Sequence, residues 1–596
     1  MLGLFWVALT SFALSLALVP ACRSIALRLG YVAATRDDRW HRRPTALLGG
    51  VAIALAVFGT APFFGITDDL AILMVGAAAM FALGLVDDLV TLAPYTKLVI
   101  EIGVASVFVF FGYRLDWTDW AAVDVMLTMV WIVGLTNALN LLDNMDGLCA
   151  GIAVIAGASL LGAFTTGGAT PEATYLALML GALAGFLVYN FHPASIFMGD
   201  SGSLFVGLNL AVLTLGSPDE SYSRTNVISI LIGPVLVLLV PILDTALVTV
   251  SRLLSGRSAA QGGRDHASHR LVALGLSERE AVAVLWSMAA FSGLLAVMIY
   301  RFQSGWPGTA AAAFLIGMIL FVVFLSRVRV YVNPESARFT ASRFTPFVTD
   351  IMYKRRLAEV LLDVCLVALA YQMAYRLRFE GPAFNGYYDN FLASLPLVVG
   401  VQSVALYAVG AYKGVWRLFG LMDGVTFAKG VLLGALTNVS AIVYLYRFEN
   451  YSRGVFVIYA ALLMLMLCGS RASFRLFSEF TNRRRPKGPR LVIYGPGDGA
   501  ATSVRTMLDD TDGGCRMLGF IDDDPLMAGV RMQGYAVLGG YPVLMKLIAD
   551  GQVEKVVITT PLIDVERLER LRKLCAERNV SLARLHVELS HLVAVS

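Results

Sequence analysis

Charge is scarce in this sequence. Only 15% of its 596 residues are Asp, Glu, Lys or Arg, and 57% are hydrophobic, a balance far from that of ordinary soluble domains. The net charge of +4 is small, which argues against a dedicated nucleic-acid binder. The six cysteines (Cys22, Cys149, Cys365, Cys468, Cys515, Cys575) are scattered and form no C-x-x-C pair. Neither a disulfide framework nor a zinc site is therefore indicated. Met1 to Pro20 has no basic segment ahead of its apolar stretch and no clear small-residue cleavage site. It is read as a retained span, not a signal peptide.

Apolar runs near the ~20 residues needed to cross a bilayer recur along most of the chain, so this is a polytopic helical membrane protein. Eleven spans are predicted at roughly 2–20, 47–64, 69–86, 97–112, 121–137, 148–165, 174–189, 203–216, 225–243, 281–300 and 308–326. The loop after the first span carries Arg23, Arg28, Arg36, Arg39, Arg42 and Arg43. Basic short loops favour the cytoplasm, which starts the N-terminus outside. Four more spans are predicted at roughly 357–375, 390–410, 427–447 and 454–469, after a basic cytosolic linker. The run Arg483-Arg484-Arg485-Pro486-Lys487 reads as an anchor to anionic lipid. From Arg490 strands and helices alternate (Leu491–Tyr494, Met517–Ile521, Ala536–Leu538, Lys555–Thr560, Ser581–His586). That pattern predicts a doubly wound, Rossmann-like α/β domain on the cytosolic side. The domain boundaries read as 1–330, a linker at 331–356, a four-span block at 357–470, and the α/β domain at 488–596.

With spans alternating, the polar motifs of the first block all fall on one face. Asn137, Asn140, Asp143, Asn144 and Asp146 crowd the junction of two spans, where a mere helix cap needs only one such residue. Asp87 and Asp88 end the third span and Lys97 starts the fourth. Asp200 sits between glycines in Phe197-Met198-Gly199-Asp200-Ser201-Gly202-Ser203, where free N–H groups of a helix start suit an anion and the carboxylate suits Mg²⁺. Arg264, His266, His269 and Arg270 offer phosphate contacts, and His-x-x-His lacks the partners for a zinc site. Of the six histidines, His41, His192, His266 and His269 lie in inside loops and none in an outside loop. Acids for one or two metal ions, cations for a diphosphate and a bilayer location together point to phosphoryl transfer onto a membrane lipid. A transporter, or a scaffold for glycan enzymes with a nucleotide-binding tail, is the alternative. Transporters usually place ionisable groups near the midplane, and here they gather at one face.

Residues 1–330 resemble the polyprenyl-phosphate N-acetylhexosamine-1-phosphate transferase superfamily. The matching pieces are His41 with Pro44 and Gly49-Gly50, Gly84 to Asp88 with Lys97, Asn137 to Leu148, Asn190, Pro193-Ala194, Phe197 to Ser203, Pro241 with Asp244, and the His266 loop. The resemblance implies transfer of a sugar-1-phosphate from a UDP-sugar to undecaprenyl phosphate, releasing UMP, in the bacterial plasma membrane. It implies Asp87, Asp88, Lys97, Asp143 and His266 as catalytic residues, with Asn140 and Asp200 on Mg²⁺ or Mn²⁺. Asp146, Asn190, Phe197, Arg264, His269 and Arg270 would bind substrate, and a homodimer is left open. One departure is that the family's His-x-His-His tract is here His266-Ala267-Ser268-His269, which bears on the identity of the sugar.

From about residue 350 the chain resembles the amino-terminal part of membrane-anchored nucleotide-sugar dehydratases and epimerases. The matching parts are Tyr412 to Arg417, Gly469 to Arg475, Leu491 to Gly497 and Gly519 to Asp524. No Tyr-x-x-x-Lys pair follows Arg490, so a sugar-modifying second activity is not expected. Gly495, Gly497 and Ala500 fit G-x-G-x-x-A, and Asp522 follows at roughly the ~20-residue distance of a ribose-binding acid. The tail reads equally as a nucleotide sensor or as a structural domain.

Overall fold

The computed structural model describes residues 2–33, 45–90, 92–115, 117–118, 120–165, 171–215, 227–254, 263, 265–301, 306–326, 328, 355–379, 384, 386–412, 420–449, 451–484, 489–495, 516–532, 535–559 and 563–585. Residues 331–354 of the expected linker, together with His41, Pro44 and Arg264, lie outside them. The chain divides into two compact units, residues 1–273 with 277–475, and residues 274–276 with 476–596.

The first unit is helical. Its helices are α1 (Leu2–Leu29), α2 (Gly49–Thr60), α3 (Ala71–Val90), α4 (Pro94–Phe110), α5 (Ala121–Leu142), α6 (Leu148–Phe164), α7 (Pro171–Asn190), α8 (Gly199–Leu213), α9 (Val227–Val237), α10 (Leu239–Leu254), α11 (Ala267–Ala273), α12 (Glu278–Arg301) and α13 (Trp306–Ser326). The second block adds α14 (Arg355–Arg378), α15 (Tyr388–Ala408), α16 (Leu421–Tyr446) and α17 (Arg453–Arg484). Every expected span falls on one of these helices or on a consecutive pair. Ten of the described helices are long and apolar enough to cross a membrane. The expected eleven plus four spans also include helices of 12, 15 and 17 residues, short of the ~20 that ~30 Å of hydrocarbon requires.

The ninth expected span, 225–243, is corrected by the structure. Two helices meet there at Leu238, and the second runs on to Leu254. Pro234 removes one N–H from the ladder just before the interruption. Pro241 falls in the first turn of α10, where the missing N–H has no intrahelical partner to lose.

Small residues let the helices of the first block approach closely, as membrane packing requires. A Cβ added at Gly181 of α7 would lie 2.0 Å from the Ala8 carbonyl oxygen of α1, and one at Gly50 of α2 would lie 2.2 Å from the Gly202 nitrogen of α8. One at Gly84 of α3 would lie 2.3 Å from the Asp200 carbonyl oxygen. The start of α8 is thus clamped between α2 and α3. A short antiparallel pair, β1 (Val32–Ala33) with β2 (Thr45–Ala46), adds a backbone clamp. Beyond it, Phe197 N donates to Ala46 O, while Gly49 N and Gly50 N donate to the carbonyls of Phe197 and Met198, all at 2.8–2.9 Å.

The second block packs around buried Tyr371, Tyr375, Phe391, Phe427, Phe456 and Tyr459, with Ala313 and Leu320 of α13 in the same cluster. Inside it, Arg471 grips Asp363 with two 2.5 Å hydrogen bonds, each side chain 1% exposed, and lies over the Phe427 ring at 4.7 Å. Removing Asp363 would strand a buried cation, a loss of about 3–5 kcal/mol.

The second unit carries β3 (Arg490–Tyr494), β4 (Arg516–Ile521), β5 (Arg531–Met532), β6 (Tyr535–Gly539), α18 (Tyr541–Ala549), β7 (Lys555–Ile558), α19 (Val565–Glu577) and β8 (Ser581–Arg584). The sheet order is β5-β6-β4-β3-β7-β8, parallel except for the β5–β6 hairpin. The parallel strands, counted in chain order, therefore run 3-2-1-4-5, as the expected doubly wound fold requires.

Candidate active site at the helix ends

Four helix ends meet around the Lys97 ammonium. Asp87 lies in the last turn of α3, Lys97 in the first turn of α4, Asn140 in the last turn of α5 and Asp200 in the first turn of α8. Lys97 Nζ donates to Asp87 Oδ2 at 2.5 Å and to Asp200 Oδ2 at 2.8 Å. Asn140 Nδ2 donates to Asp200 Oδ1 at 3.0 Å and to Ser203 Oγ at 2.9 Å. Leu92 N donates to Asp87 Oδ1 at 2.5 Å. Residues more than a hundred positions apart thus share one polar cluster.

Asp88 faces the other way and does different work. Its two oxygens accept the backbone N–H groups of Asp200 at 2.8 Å and Ser201 at 2.9 Å, which satisfies open donors at the start of α8. The approach demands glycine at 199, whose φ is +72° and whose Cβ would lie 2.7 Å from Asp88 Oδ2. The cluster suits a small hard cation. Its oxygens are the carboxylates of Asp87 and Asp200 with the Ser203 hydroxyl beside them, and an ammonium already bridges the two acids.

Residues 70–217 match the family described as Glycosyl transferase family 4. A probable undecaprenyl-phosphate N-acetylglucosaminyl 1-phosphate transferase of Bacillus subtilis is 31% identical over 353 residues, which is 57% of this chain and 93% of the relative. The chain belongs to the polyprenyl-phosphate N-acetylhexosamine-1-phosphate transferase superfamily. Other members include a decaprenyl-phosphate N-acetylglucosaminephosphotransferase of Mycobacterium tuberculosis, 34% identical over 304 residues (44% of this chain, 74% of the relative). A phospho-N-acetylmuramoyl-pentapeptide-transferase of Shouchella clausii is 28% identical over 334 residues (50% and 97%). Residues 408–584 match a family described as a CoA-binding domain. The chain is accordingly a multi-pass membrane transferase with a second family's segment attached.

Other residues expected at this transferase's site have partners of their own. Asp143 caps the end of α5, its N–H bonded to Asn140 O at 3.2 Å. Asp146 Oδ2 lies 2.9 Å from His192 Nδ1 and accepts Ala194 N at 2.9 Å. Glu278 Oε2 is 3.5 Å from the same His192 nitrogen. These three side chains form a second polar group, their ligand atoms within 4.8 Å of one another.

Asn190, expected to touch substrate, is buried and spends its amide on backbone. It accepts Gly147 N at 3.1 Å and donates to Ile196 O at 3.0 Å, holding a turn where Gly147 has φ +72°. Phe197 is half-buried between backbone contacts to Ala46 and Gly49. His266 Nδ1 is 2.8 Å from Asp244 Oδ2, and Ala267 N donates to Asp244 Oδ1 at 2.7 Å. His269 packs edge-on against His266 with ring centroids 5.7 Å apart. Ser268 Oγ donates to Asn144 Oδ1 at 2.7 Å, tying this short helix to the α5–α6 junction.

Arg270, expected among the substrate contacts, is 4% exposed. Its NH1 donates to the carbonyls of Leu325, Ser326 and Val328 at 3.0–3.1 Å, and its Nε to Asp265 O at 2.8 Å. A guanidinium with five fixed donors suits the open carbonyls at the end of α13. Sequence reading missed Glu101, which accepts Asn137 Nδ2, and gave no role to Glu278 or Ser203.

In the tail, Gly497 and Ala500 lie outside the described residues, while Gly495 takes φ +87° at the end of β3. Asp522 follows β4 and accepts Asp524 N at 3.0 Å. Asp523 accepts the Tyr494 hydroxyl at 2.6 Å, Arg567 NH1 at 3.0 Å and Tyr541 N at 2.7 Å. Burial first, and the Asp523 carboxylate second, push the Tyr494 phenol above its ordinary range, so it remains a neutral donor.

Arg270→Lys tests whether these bonds brace the end of α13, because a lysine cannot reproduce the fork. It should destabilise the detergent-solubilised chain by about 1.5–3 kcal/mol of lost charged hydrogen bonding, seen as a lower melting temperature, with the KM for nucleotide sugar unchanged. Unchanged melting with a raised KM would restore the substrate role.

Proposed function

We propose that this transferase moves a sugar-1-phosphate, N-acetylhexosamine-1-phosphate in the reading the resemblance favours, from a UDP-sugar to undecaprenyl phosphate. An oxygen of the lipid phosphate attacks the sugar-bearing phosphorus of the UDP-sugar. The bond from that phosphorus to the bridging oxygen breaks, giving undecaprenyl-diphosphate-sugar and UMP. The observation that carries the reading is the meeting of Asp87, Lys97, Asn140 and Asp200 at the ends of four apolar helices. In this reading the site faces the cytosol with the N-terminus outside.

Asp87 orients the lipid phosphate or takes its proton, and Asp88 holds the α8 start in place. Lys97 neutralises phosphate as a point charge. Asn140 and Asp200 would hold Mg²⁺, which supplies charge neutralisation at the diphosphate when bound. Asp146 and Phe197 face the uridine, with Asn190 supporting the turn beneath them. His266 and His269 serve the diphosphate and sugar, with Asp143 at the junction beside them.

Purified full-length chain should release UMP from a UDP-sugar only when both undecaprenyl phosphate and Mg²⁺ are present. Asp87→Asn and Asp200→Asn should each cut kcat/KM by about 10²–10³-fold. Full activity in both would contradict the assignment.

For the tail we propose a nucleotide or nucleotide-sugar sensor. A 3-2-1-4-5 sheet takes ligands at the carboxyl ends of its strands, beside the first, and Gly495 and Asp522 lie at two such ends. Calorimetry of the full chain with a UDP-sugar should resolve two classes of site, one of them lost in Asp522→Ala. A single class insensitive to that substitution would leave the tail a structural role.

A further inference from the structure

Glu101 lies one turn beyond Lys97 along α4, deeper in the apolar part of the helix, and is 3% exposed. Asn137 Nδ2 donates to its Oε2, and the same amide also donates to Val133 O at 3.0 Å. A buried carboxylate with so little support is costly, and ionisable residues within membrane helices mark function by default. Among the described residues, Asp200 of α8 reaches the first turn of α4, and the helices packed most extensively against α4 are α3 and α5. Neither contains Lys or Arg, and the acids they bring are Asp87, Asp88 and Asp124. Lys97 is the single cation on α4. It stands four residues from Glu101, one turn away on the same face.

Lys97 now bridges Asp87 and Asp200. An ammonium and a divalent cation compete for those oxygens, so metal entry requires Lys97 to let go of at least one. We propose that Glu101 is the second anion for Lys97, a positioning residue that lets the ammonium withdraw from Asp87 and Asp200 when the metal enters. This rests on the metal reading above. It also accounts for a costly acid placed one turn from the only lysine of the cluster.

The test is Mn²⁺ binding followed by electron paramagnetic resonance, on full-length chain in detergent without nucleotide sugar or lipid phosphate. Glu101→Gln keeps the shape and an acceptor for Asn137, and should weaken Mn²⁺ binding about tenfold. Glu101→Asp keeps the charge and should recover most of that loss. In a Lys97→Met background the competitor is gone, and adding Glu101→Gln should change the affinity less than about twofold. Unchanged affinity in Glu101→Gln overturns the role, as does an equal loss in both backgrounds, which would be plain through-space attraction. If the unsubstituted chain binds no Mn²⁺, the metal reading falls and this one with it. Binding that ignores Glu101 overturns only the inference made here.

Discussion

Both oxygens of Asp88 are committed to the N–H groups that open α8, and the rest of the candidate site depends on that bond pair. It joins the end of α3 to the start of α8 and so sets Asp87 and Asp200 side by side. With the two acids fixed, one ammonium can bridge them and Asn140 can reach across from α5. Gly50, Gly84, Gly199 and Gly202 provide the room for that approach. The first block is therefore a scaffold of close-packed apolar helices whose ends carry the candidate site. A charge near a helix end also avoids much of the cost it would incur at the bilayer centre.

Much of this was legible in the sequence because two strong signals agree. Length and apolarity locate the helices, and the polar residues in between fall on one parity. Asp87, Lys97, Asn140 and Asp200 stood out as polar residues bounding apolar runs, and they meet. What was not legible is direction. Asn190, Asp88 and Arg270 belong to the same motifs, yet their side chains turn to backbone groups. A motif gives the residue type but not which way it faces. Glu101 was lost for the opposite reason, since one acid inside an apolar run reads as a span with a blemish.

The added half follows the same logic with a different outcome. In the second block, the Asp363–Arg471 pair and the tyrosine cluster hold four helices together. Their polar groups face one another within the bundle, which reads as bracing. The alternation from Arg490 onward gave the parallel sheet, because buried strands separated by helices have few other solutions. Strand order could not be read that way, since it depends on which edges pair. Asp523, drawing Tyr494, Tyr541 and Arg567 together, holds the ends of several elements at the side where such sheets take ligands.

The central claim is that Asp87 of α3, Asn140 of α5 and Asp200 of α8 form one cation-binding cluster. The most direct test is a crystal of the chain soaked with Mn²⁺ and measured at an anomalous wavelength. The account predicts a peak about 2.1 Å from side-chain oxygens of Asp200 and Asn140, with Lys97 displaced from it. A peak among Asp146, His192 and Glu278, with none at Asp200, would contradict it.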